Sequence, residues 1–171
     1  MTIQHSIAAL LQREVQGFER EVNLFPDDDT LWRTMPGIPN SAGNLALHIA
    51  GNLQYFVGAI LGGSAYVRDR DAEFSRRSGT RTEITGELQK AAAAVRTVLP
   101  NLSDEILRSD FPDPPIPNRR IQTLMFLLHL CAHASFHLGQ AGYLRRALTG
   151  DTRSAGPVPL SVLTEDVGPT S

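Results

Sequence analysis

The segment from about residue 119 to residue 148 constrains the fold of this chain most, because its apolar residues recur at helical spacing along its whole length. Its apolar positions are Leu124, Leu127, Leu128, Cys131, Leu138, Ala141 and Leu144. A helix with so wide an apolar surface belongs at the centre of a core. Gly150 is a natural end for it, because glycine adopts the left-handed C-terminal cap without strain. The segment therefore predicts a long helix central to an all-α fold.

Three further segments show the same helical repeat, at about residues 3–24, 41–62 and 82–100. Ser41 and Thr82 are the expected N-terminal caps of the second and third segments. The pair Gly62-Gly63 is expected to end the second segment. Glycines inside or near that segment predict a close approach of neighbouring chain, and they are Gly43, Gly51 and Gly58.

Four helices of this length predict a four-helix bundle, with residues 1–150 as one domain. The connections at 64–81 and 101–118 are long, and such loops often carry function. The tail at 151–171 is rich in Gly, Pro, Ser and Thr. We expect this tail to be either poorly ordered or docked on a partner.

Charge and cysteine content exclude several classes of protein. The 16 Lys and Arg residues nearly balance the 18 Asp and Glu residues, so the chain has no basic field to attract nucleic acid or an anionic membrane. The single cysteine, Cys131, excludes a disulfide framework and a cysteine zinc finger, and we expect it to be an inert core residue. The N-terminal segment has no basic region and no uninterrupted apolar run, so we expect no signal peptide. No apolar run reaches the roughly 20 residues of a membrane span. We therefore expect a cytoplasmic protein.

Three of the five histidines lie four residues apart, at His129, His133 and His137. Adjacent members of this ladder share a helix face about 6 Å apart, whereas the outer two lie about 12 Å apart along the axis. Two nitrogens that each lie about 2 Å from one metal ion are at most about 4 Å from each other. The ladder therefore supplies two ligands of one ion, and a third must come from another segment.

His48 is the candidate third ligand, since it falls on the inner, apolar side of the second helical segment. A buried imidazole without a partner is costly. Three imidazoles would leave an open coordination position, as a catalytic metal requires. The same residues fit two other interpretations. One is a non-catalytic protein braced by a metal ion, and the other is a metal-free bundle with a polar histidine network in its core.

The segment AHASFHLGQAGYLRR, with His133, His137 and Gln140, resembles the closing-helix motif of the DinB/YfiT-like family. The segment NLALHIAGNLQYF, with His48, resembles the second helix of that family, and the stretch Arg68–Phe74 resembles a subgroup of it. Helix order, loop lengths and total size agree over most of the chain. The resemblance implies a four-helix bundle that binds a divalent metal ion through His48, His133 and His137, and it implies a homodimer. Characterised relatives include thiol S-transferases that use bacillithiol or mycothiol and an isomerase that uses mycothiol.

Three residues are expected beside the metal ligands rather than among them. Gln140 shares a helix face with His137 and could orient it through its amide. His129 could act as a hydrogen-bond donor or a proton shuttle. Asn52 stands where family members often carry an acidic residue, so this chain lacks the usual carboxylate there. A plain packing role also fits each of the three.

The expected chemistry is Lewis-acid activation of a thiol or a water, which then attacks an electrophile held between the long loops. This chemistry predicts a metal-dependent thiol S-transferase or hydrolase with a small-molecule substrate. Imidazole ligands suit zinc, nickel, iron, copper and sometimes manganese. We expect zinc or nickel first, with iron or manganese as alternatives. No catalytic side chain is assigned. Six arginines are expected to be mainly solvated or ion-paired at the surface, where some could receive the carboxylates of an anionic thiol: Arg68, Arg70, Arg119, Arg120, Arg145 and Arg146.

Overall fold

The computed structural model describes residues 2–155 and 163–164, and these residues form helices without any β-strand, apart from two isolated bridges. The helices in chain order are α1 (Ile3–Asn23), α2 (Asp28–Leu31), α3 (Ala42–Leu53), α4 (Arg70–Ser75), α5 (Arg81–Val98), α6 (Asp104–Arg108) and α7 (Thr123–Thr149). Helix α3 continues directly as a π-helix over Gln54–Leu61, and α5 ends in a 3-10 turn over Leu99–Asn101. The prediction of an all-α fold is confirmed.

The long helices α1, α3, α5 and α7 enclose the core, because α1 and α3 each pack against both α5 and α7. Each contributes a helical stripe of apolar residues, and burial of such stripes is the main source of stability in helical domains. On α1 the buried apolar stripe consists of Ile7, Leu11, Val15, Phe18 and Val22. None of the described helices combines the length and the apolar character that a bilayer crossing requires.

One of the two predicted N-terminal caps is confirmed, and the other is wrong. Ser41 caps α3 as predicted, and its hydroxyl accepts a hydrogen bond from the backbone N–H of Asn44. Thr82, by contrast, is not the cap of the third long helix. Thr80 caps α5, because its hydroxyl accepts from the backbone N–H of Glu83 while the Glu83 carboxylate accepts from the Thr80 N–H at 2.7 Å. This reciprocal pairing satisfies two backbone donors at once.

Helix α7 begins at Thr123, not at residue 119 as predicted. The chain just before it is extended and pairs with the segment that follows α6. The Phe111 N–H donates to the Ile121 carbonyl at 2.8 Å, and the Thr123 N–H donates to the Ser109 carbonyl at 2.9 Å. These bonds hold residues 119–122 out of the helix. Gly150 ends α7 with a φ of 69°, as predicted.

The connections at 64–81 and 101–118 were predicted to be loops, but each of them contains a short helix. The first of them, α4, is held against α3 by a buried amide. The Asn44 side chain donates to the carbonyls of Glu73 and Arg76, each at 2.9 Å. The segment predicted as a loop is therefore a fixed part of the structure over α3.

Close approach at the glycines of the second long helix is confirmed. A Cβ at Gly43 would lie 3.0 Å from the Trp32 ring, and a Cβ at Gly58 would lie 3.3 Å from Ala94. The tightest case is Gly51, where a Cβ would lie 2.2 Å from Oε1 of Glu73. Gly51 therefore makes room for the Glu73 carboxylate against the face of α3.

We expect Gly51→Ala to lower the free energy of unfolding by about 1–3 kcal/mol, the usual cost of overpacking. The added methyl group would displace the Glu73 carboxylate and strain α4. Gly86→Ala on α5 is the matched control, because a Cβ there meets no atom within 4 Å. The control should raise the free energy of unfolding by about 0.4–1 kcal/mol, because alanine lowers the conformational entropy of the unfolded chain. Urea denaturation of both variants checks the pair, and equal effects would contradict the crowding at Gly51.

The start of the predicted tail contacts two of the long helices, α7 and α1. The Arg145 guanidinium of α7 donates to the carbonyl of Arg153, and the Ala155 N–H donates to Oε2 of Glu21 on α1 at 3.3 Å. The prediction for the rest of the tail concerns residues 156–162 and 165–171, which lie outside the described part of the chain.

Candidate metal centre

The structure brings His48, His133 and His137 together, although His48 is far from the other two in sequence. Nε2 of His133 lies 3.2 Å from Nε2 of His48 and 3.0 Å from Nε2 of His137. Two imidazole nitrogens that share one tetrahedral ion at about 2.0–2.1 Å are about 3.3 Å apart. Both of these distances are close to that spacing, and the ligand atoms of all three residues lie within 4.8 Å of one another.

Two elements place these rings. His48 lies in the middle of α3, where it is buried, and its side chain crosses to α7. His133 and His137 are successive members of the ladder on α7, so their rings lie on one face, with centroids 4.6 Å apart. His129, one turn earlier, stacks on His133 at a centroid distance of 5.7 Å and is exposed. His129 is not among the residues whose ligand atoms converge, so the visible triplet on α7 is not itself the cluster.

The second ring nitrogens of two histidines have fixed acceptors. Nδ1 of His48 lies 2.9 Å from Oε2 of Glu73, and Nδ1 of His137 lies 2.7 Å from Oε1 of Gln140. Both acceptors require a proton on Nδ1, so both rings present the lone pair of Nε2 to the cluster. Arg68 Nη2 lies 3.2 Å from the same His48 nitrogen. Because that nitrogen already donates to Glu73, we assign the Arg68 proton to the carboxylate.

These tautomers test whether the three residues fit a metal ion. The lone pairs of His48 and His137 both face Nε2 of His133, and a single proton on that nitrogen can satisfy only one of them. Nδ1 of His133 is also buried, with no hydrogen-bond partner among the described residues. A cation among the three Nε2 atoms would accept all three lone pairs. The donor set therefore fits an imidazole-bound divalent ion.

Burial keeps His133 and His137 neutral. Burial, and then the neighbouring His137 and His48, lower the pKa of His133 to about 3. Burial also lowers the pKa of His137, against the opposing effect of its bond to Gln140. Neutral imidazole is the form that binds a metal ion. At pH 7 neither ring has to lose a proton before it can act as a ligand.

Glu73 was not predicted as a site residue, and it is the main partner of His48. Its carboxylate also accepts two hydrogen bonds from Arg68, at 2.7 and 2.8 Å. Burial raises the pKa of the Glu73 carboxyl, but the bonds from Arg68 and His48 outweigh burial and lower this pKa below its ordinary value. The carboxylate therefore stays charged, and it holds the His48 ring in place, as carboxylates behind metal-bound histidines commonly do.

The residues expected beside the ligands have different surroundings. Gln140 contacts His137 directly. Asn52 is buried and lines the cavity described below, but no hydrogen bond among the described residues joins it to a histidine of the cluster. Its Oδ1 is buried without a partner in the described part of the chain. Asn52 therefore lines the cavity but does not support a histidine of the cluster.

Two of the arginines that were predicted at the surface are buried instead. Arg68 is nearly buried in its bonds to Glu73, and Arg145 is fully buried beside Glu21. Arg70, Arg119 and Arg120 are exposed as predicted. Cys131 agrees with the prediction of an inert thiol, because burial raises its pKa to about 11. A thiol with so high a pKa is almost entirely protonated at pH 7 and is a poor nucleophile.

An open cavity of about 870 Å³ lies beside the histidine cluster, with His48, His129 and His133 in its wall. The two long connections form the opposite wall, since Arg68 and Arg70 come from the first, and Pro114 and Pro115 from the second. This volume lies within the range of pockets that hold small molecules.

Aromatic rings and charges give the cavity a mixed lining. The rings of Phe56 and Phe126 contact each other at 4.9 Å and make its apolar part. At the mouth, the Tyr55 hydroxyl donates to Asp113 at 2.6 Å, which ties the proline-rich connection to the π-helix. The Arg70 guanidinium makes a cation–π contact with Phe74 and no ion pair with a described residue, so its charge remains open to a ligand.

Comparisons with known proteins agree on the fold. The crystal structure of a conserved protein from Enterococcus faecalis is similar, with a TM-score of 0.68 and 18% sequence identity, over 88% of this chain and 99% of that one. A search of curated proteins found no match. The model of the DinB superfamily matches residues 10–141, which is well over half of the chain. The chain therefore belongs to the DinB superfamily.

Proposed function

We propose that the protein is a metal-dependent enzyme in which His48, His133 and His137 hold one divalent ion, zinc or nickel in the first place. The convergence of three Nε2 atoms within 4.8 Å of one another, at the wall of an open cavity, carries this proposal. A divalent ion bound there would supply Lewis-acid activation of a thiol or a water. The family match supports metal binding and leaves the reaction open.

The surroundings of the cluster favour an enzyme over a structural metal site. Structural zinc sites are usually closed by four protein ligands. In the described part of the chain, the cluster contains three histidines and no fourth Cys, Asp, Glu or His. Glu73 is close, but its carboxylate already binds Arg68 and Nδ1 of His48. The remaining side of the cluster faces the cavity, where a substrate has access.

We propose a low-molecular-weight anionic thiol as the substrate class, with thiol S-transfer or hydrolysis as the reaction. Arg70 provides an open positive charge at the cavity wall. Phe56 and Phe126 pack against an apolar portion of the substrate. We also propose that residues 1–150 act as a single domain and that the protein is a homodimer.

The experiment begins with metal analysis of protein purified without a histidine tag. Protein loaded with cobalt(II) is then titrated with mercaptosuccinate, a dianionic thiol, and with neutral 2-mercaptoethanol. A sulfur-to-cobalt charge-transfer band is expected with both thiols, at a concentration about fivefold lower for the dianion, which corresponds to one exposed ion pair of about 1 kcal/mol. Arg70→Ala should remove this preference. If neither thiol gives the band, the proposal of a thiol substrate is wrong. If the purified protein binds no metal ion, the whole proposal is wrong.

Glu73→Gln is expected to weaken binding of the divalent ion about 10- to 100-fold, the usual cost of losing a hydrogen-bonded carboxylate behind a metal-bound histidine. The amide loses the charge that holds the His48 ring, and it leaves Arg68 without its partner. Competition with a chromophoric chelator measures the affinity. Glu105→Gln, an exposed acid on α6, is the matched control and should leave the affinity unchanged. Equal affinities in both variants would show that Glu73 does not support the site.

A further inference from the structure

Arg68 has hydrogen-bond donors that its structural contacts do not use. Its side chain is only 10% exposed, and long charged side chains are rarely buried this far without a partner. Glu73 is that partner, because its two carboxylate oxygens accept from Nε and Nη2 of Arg68. A guanidinium carries five N–H donors, however, and two of them belong to Nη1. No hydrogen bond joins Nη1 of Arg68 to a described residue.

The free donors of Arg68 open to the cavity beside the histidine cluster. Nη1 is not among the fully buried unpaired atoms of the described residues, so it keeps some exposed surface. Arg68 lines the cavity, and we place the exposed edge of its guanidinium there. Arg68 thus presents charged donors to a molecule that the cavity holds, in addition to its support of Glu73.

The guanidinium lies close to the histidine cluster. Nη2 of Arg68 is 3.2 Å from Nδ1 of His48, and the other nitrogen of this ring belongs to the cluster. The width of one imidazole ring therefore separates Arg68 from the cluster. His48, His133 and Arg68 line the same cavity. A small molecule with one atom on a bound ion and an oxygen two bonds further on spans this gap, given a metal–ligand bond of about 2 Å and a hydrogen bond of about 2.9 Å.

Two contacts fix the direction of the free donors. The guanidinium is planar, so its paired bonds to Glu73 set the plane in which Nη1 lies. Cζ of Arg68 also lies 5.7 Å from the centroid of the Phe56 ring, another residue of the cavity wall. A donor held in this way needs no reorganisation when negative charge develops beside it, and such preorganised donors are usually the largest electrostatic contribution to catalysis. The free donors of Arg68 therefore have the properties of an oxyanion site.

We propose that Arg68 is a catalytic residue that donates from Nη1 to a carbonyl oxygen of the electrophile. This inference rests on the proposed function, and it names an acyl compound as the electrophile. A carbonyl group needs such a donor, because attack on its carbon places a negative charge on its oxygen. Arg70 keeps the separate role of binding the anionic part of the thiol.

The reaction at the acyl group balances without any oxidant or reductant. The thiolate or hydroxide forms a bond to the carbonyl carbon, and the π electron pair of the C=O bond moves onto the oxygen. Arg68 stabilises this oxyanion by a hydrogen bond and keeps its own proton. The electron pair then returns to the C–O bond, and the bond to the leaving group breaks. The leaving group takes a proton from water, which replaces the proton that the nucleophile released.

Phenylphosphonate tests the proposal on the full chain loaded with cobalt(II), because its anionic oxygens around a tetrahedral centre resemble the oxyanion of an attacked carbonyl group. Imidazole is the reference ligand, since it binds an open metal position and presents no anionic oxygen. The visible absorption of cobalt(II) measures the dissociation constants of both ligands. Saturating cobalt keeps differences in metal affinity between variants out of the comparison.

Arg68→Lys should raise the dissociation constant of phenylphosphonate about 10- to 100-fold, as the loss of a hydrogen bond to a charged group does. Lysine keeps a positive charge beside Glu73 but lacks the planar fork, so it does not replace Nη1. The dissociation constant of imidazole should stay the same. Arg119→Lys is the matched control, because Arg119 is exposed and does not line the cavity, and it should change neither constant.

Glu73→Gln separates a contact with the ligand from a purely structural role of Arg68. If Arg68 only held Glu73, and through it His48, Glu73→Gln would weaken phenylphosphonate relative to imidazole as much as Arg68→Lys does. A direct contact predicts no such loss, because the guanidinium remains and no carboxylate balances its charge. An equal loss in the two variants, or an equal weakening of both ligands in Arg68→Lys, would overturn the inference.

A crystal structure of the native protein with cobalt(II) and phenylphosphonate covers the case in which Arg68→Lys fails to fold. An oxygen of the ligand should lie within about 3.2 Å of Nη1. A bound ligand without that contact, or a native protein that binds imidazole but not phenylphosphonate, would show that Arg68 is wrongly assigned while the metal site is retained. If the protein takes up no cobalt, both the proposed function and this inference are wrong.

Discussion

Replacing His133 with alanine is expected to abolish stoichiometric binding of a divalent metal ion, the largest functional effect of any single substitution considered for this chain. Its Nε2 lies within 3.2 Å of the corresponding atoms of both His48 and His137, so it is central to the cluster. Substitution of a residue that only supports a ligand lowers the metal affinity about 10- to 100-fold. Substitution of a ligand itself should lower it more. Metal content after gel filtration and a chelator competition measure the effect.

His129→Ala is the matched control, because it removes an imidazole from the same helix one turn away. Its ring stacks on His133 but is exposed and lies outside the cluster. The control should keep metal content at one ion per chain. Circular dichroism should show the same helix content in both variants, since Nδ1 of His133 has no hydrogen-bond partner among the described residues to lose. Equal metal content in the two variants would mean that the assignment of ligands is wrong.

The three clustered histidines could be predicted because helix geometry is regular. The rise per residue excludes the outer pair of the ladder from one ion, and the apolar surroundings of His48 place it on an inner helix face. Glu73 could not be found in the same way. It lies on a short helix inside a segment that has no apolar repeat, and its position depends on the missing side chain at Gly51. Such contacts depend on how a connection folds back, which periodicity does not describe.

Helix boundaries show which local signals are reliable. The pair Thr80 and Glu83 has the threonine–glutamate spacing of a capping box, whereas Thr82 is followed three residues later by Thr85. The spacing was thus present in the sequence and identifies the observed cap. The start of α7 had no such signal. It is set by backbone bonds to the segment after α6, which are contacts between distant parts of the chain.

Arg145 was predicted as a surface residue because long charged side chains are rarely buried. In the structure it is fully buried between α1 and the start of the tail. Its guanidinium donates to the Glu21 carboxylate and to the carbonyl of Arg153, and it lies 3.4 Å from Asp151. The partners come from the opposite end of the sequence and from beyond α7. No local pattern around Arg145 could have indicated them.

Replacing Arg145 with methionine is expected to lower the free energy of unfolding by about 3–5 kcal/mol, the largest stability effect expected of a single substitution in this chain. Methionine fills a similar volume, but the Glu21 carboxylate then stays buried without its counter-charge, and this uncompensated charge accounts for the loss. Urea denaturation at a fixed protein concentration measures the effect. Lys90→Met, which removes an exposed partner of Glu87, is the matched control and should cost less than about 1 kcal/mol.

The double variant Glu21→Leu with Arg145→Met separates two explanations of that loss. If the cost arises from the unpaired carboxylate, removal of both charges should recover most of the stability, because apolar replacements of a buried ion pair are often neutral or stabilising. If it arises from the bonds between Arg145 and the tail, the double variant should remain as unstable as the single one. We expect recovery, since Glu21 and Arg145 are almost entirely buried while Asp151 is partly exposed and retains Arg153 as a partner. A double variant as unstable as Arg145→Met would instead assign the stability to the tail.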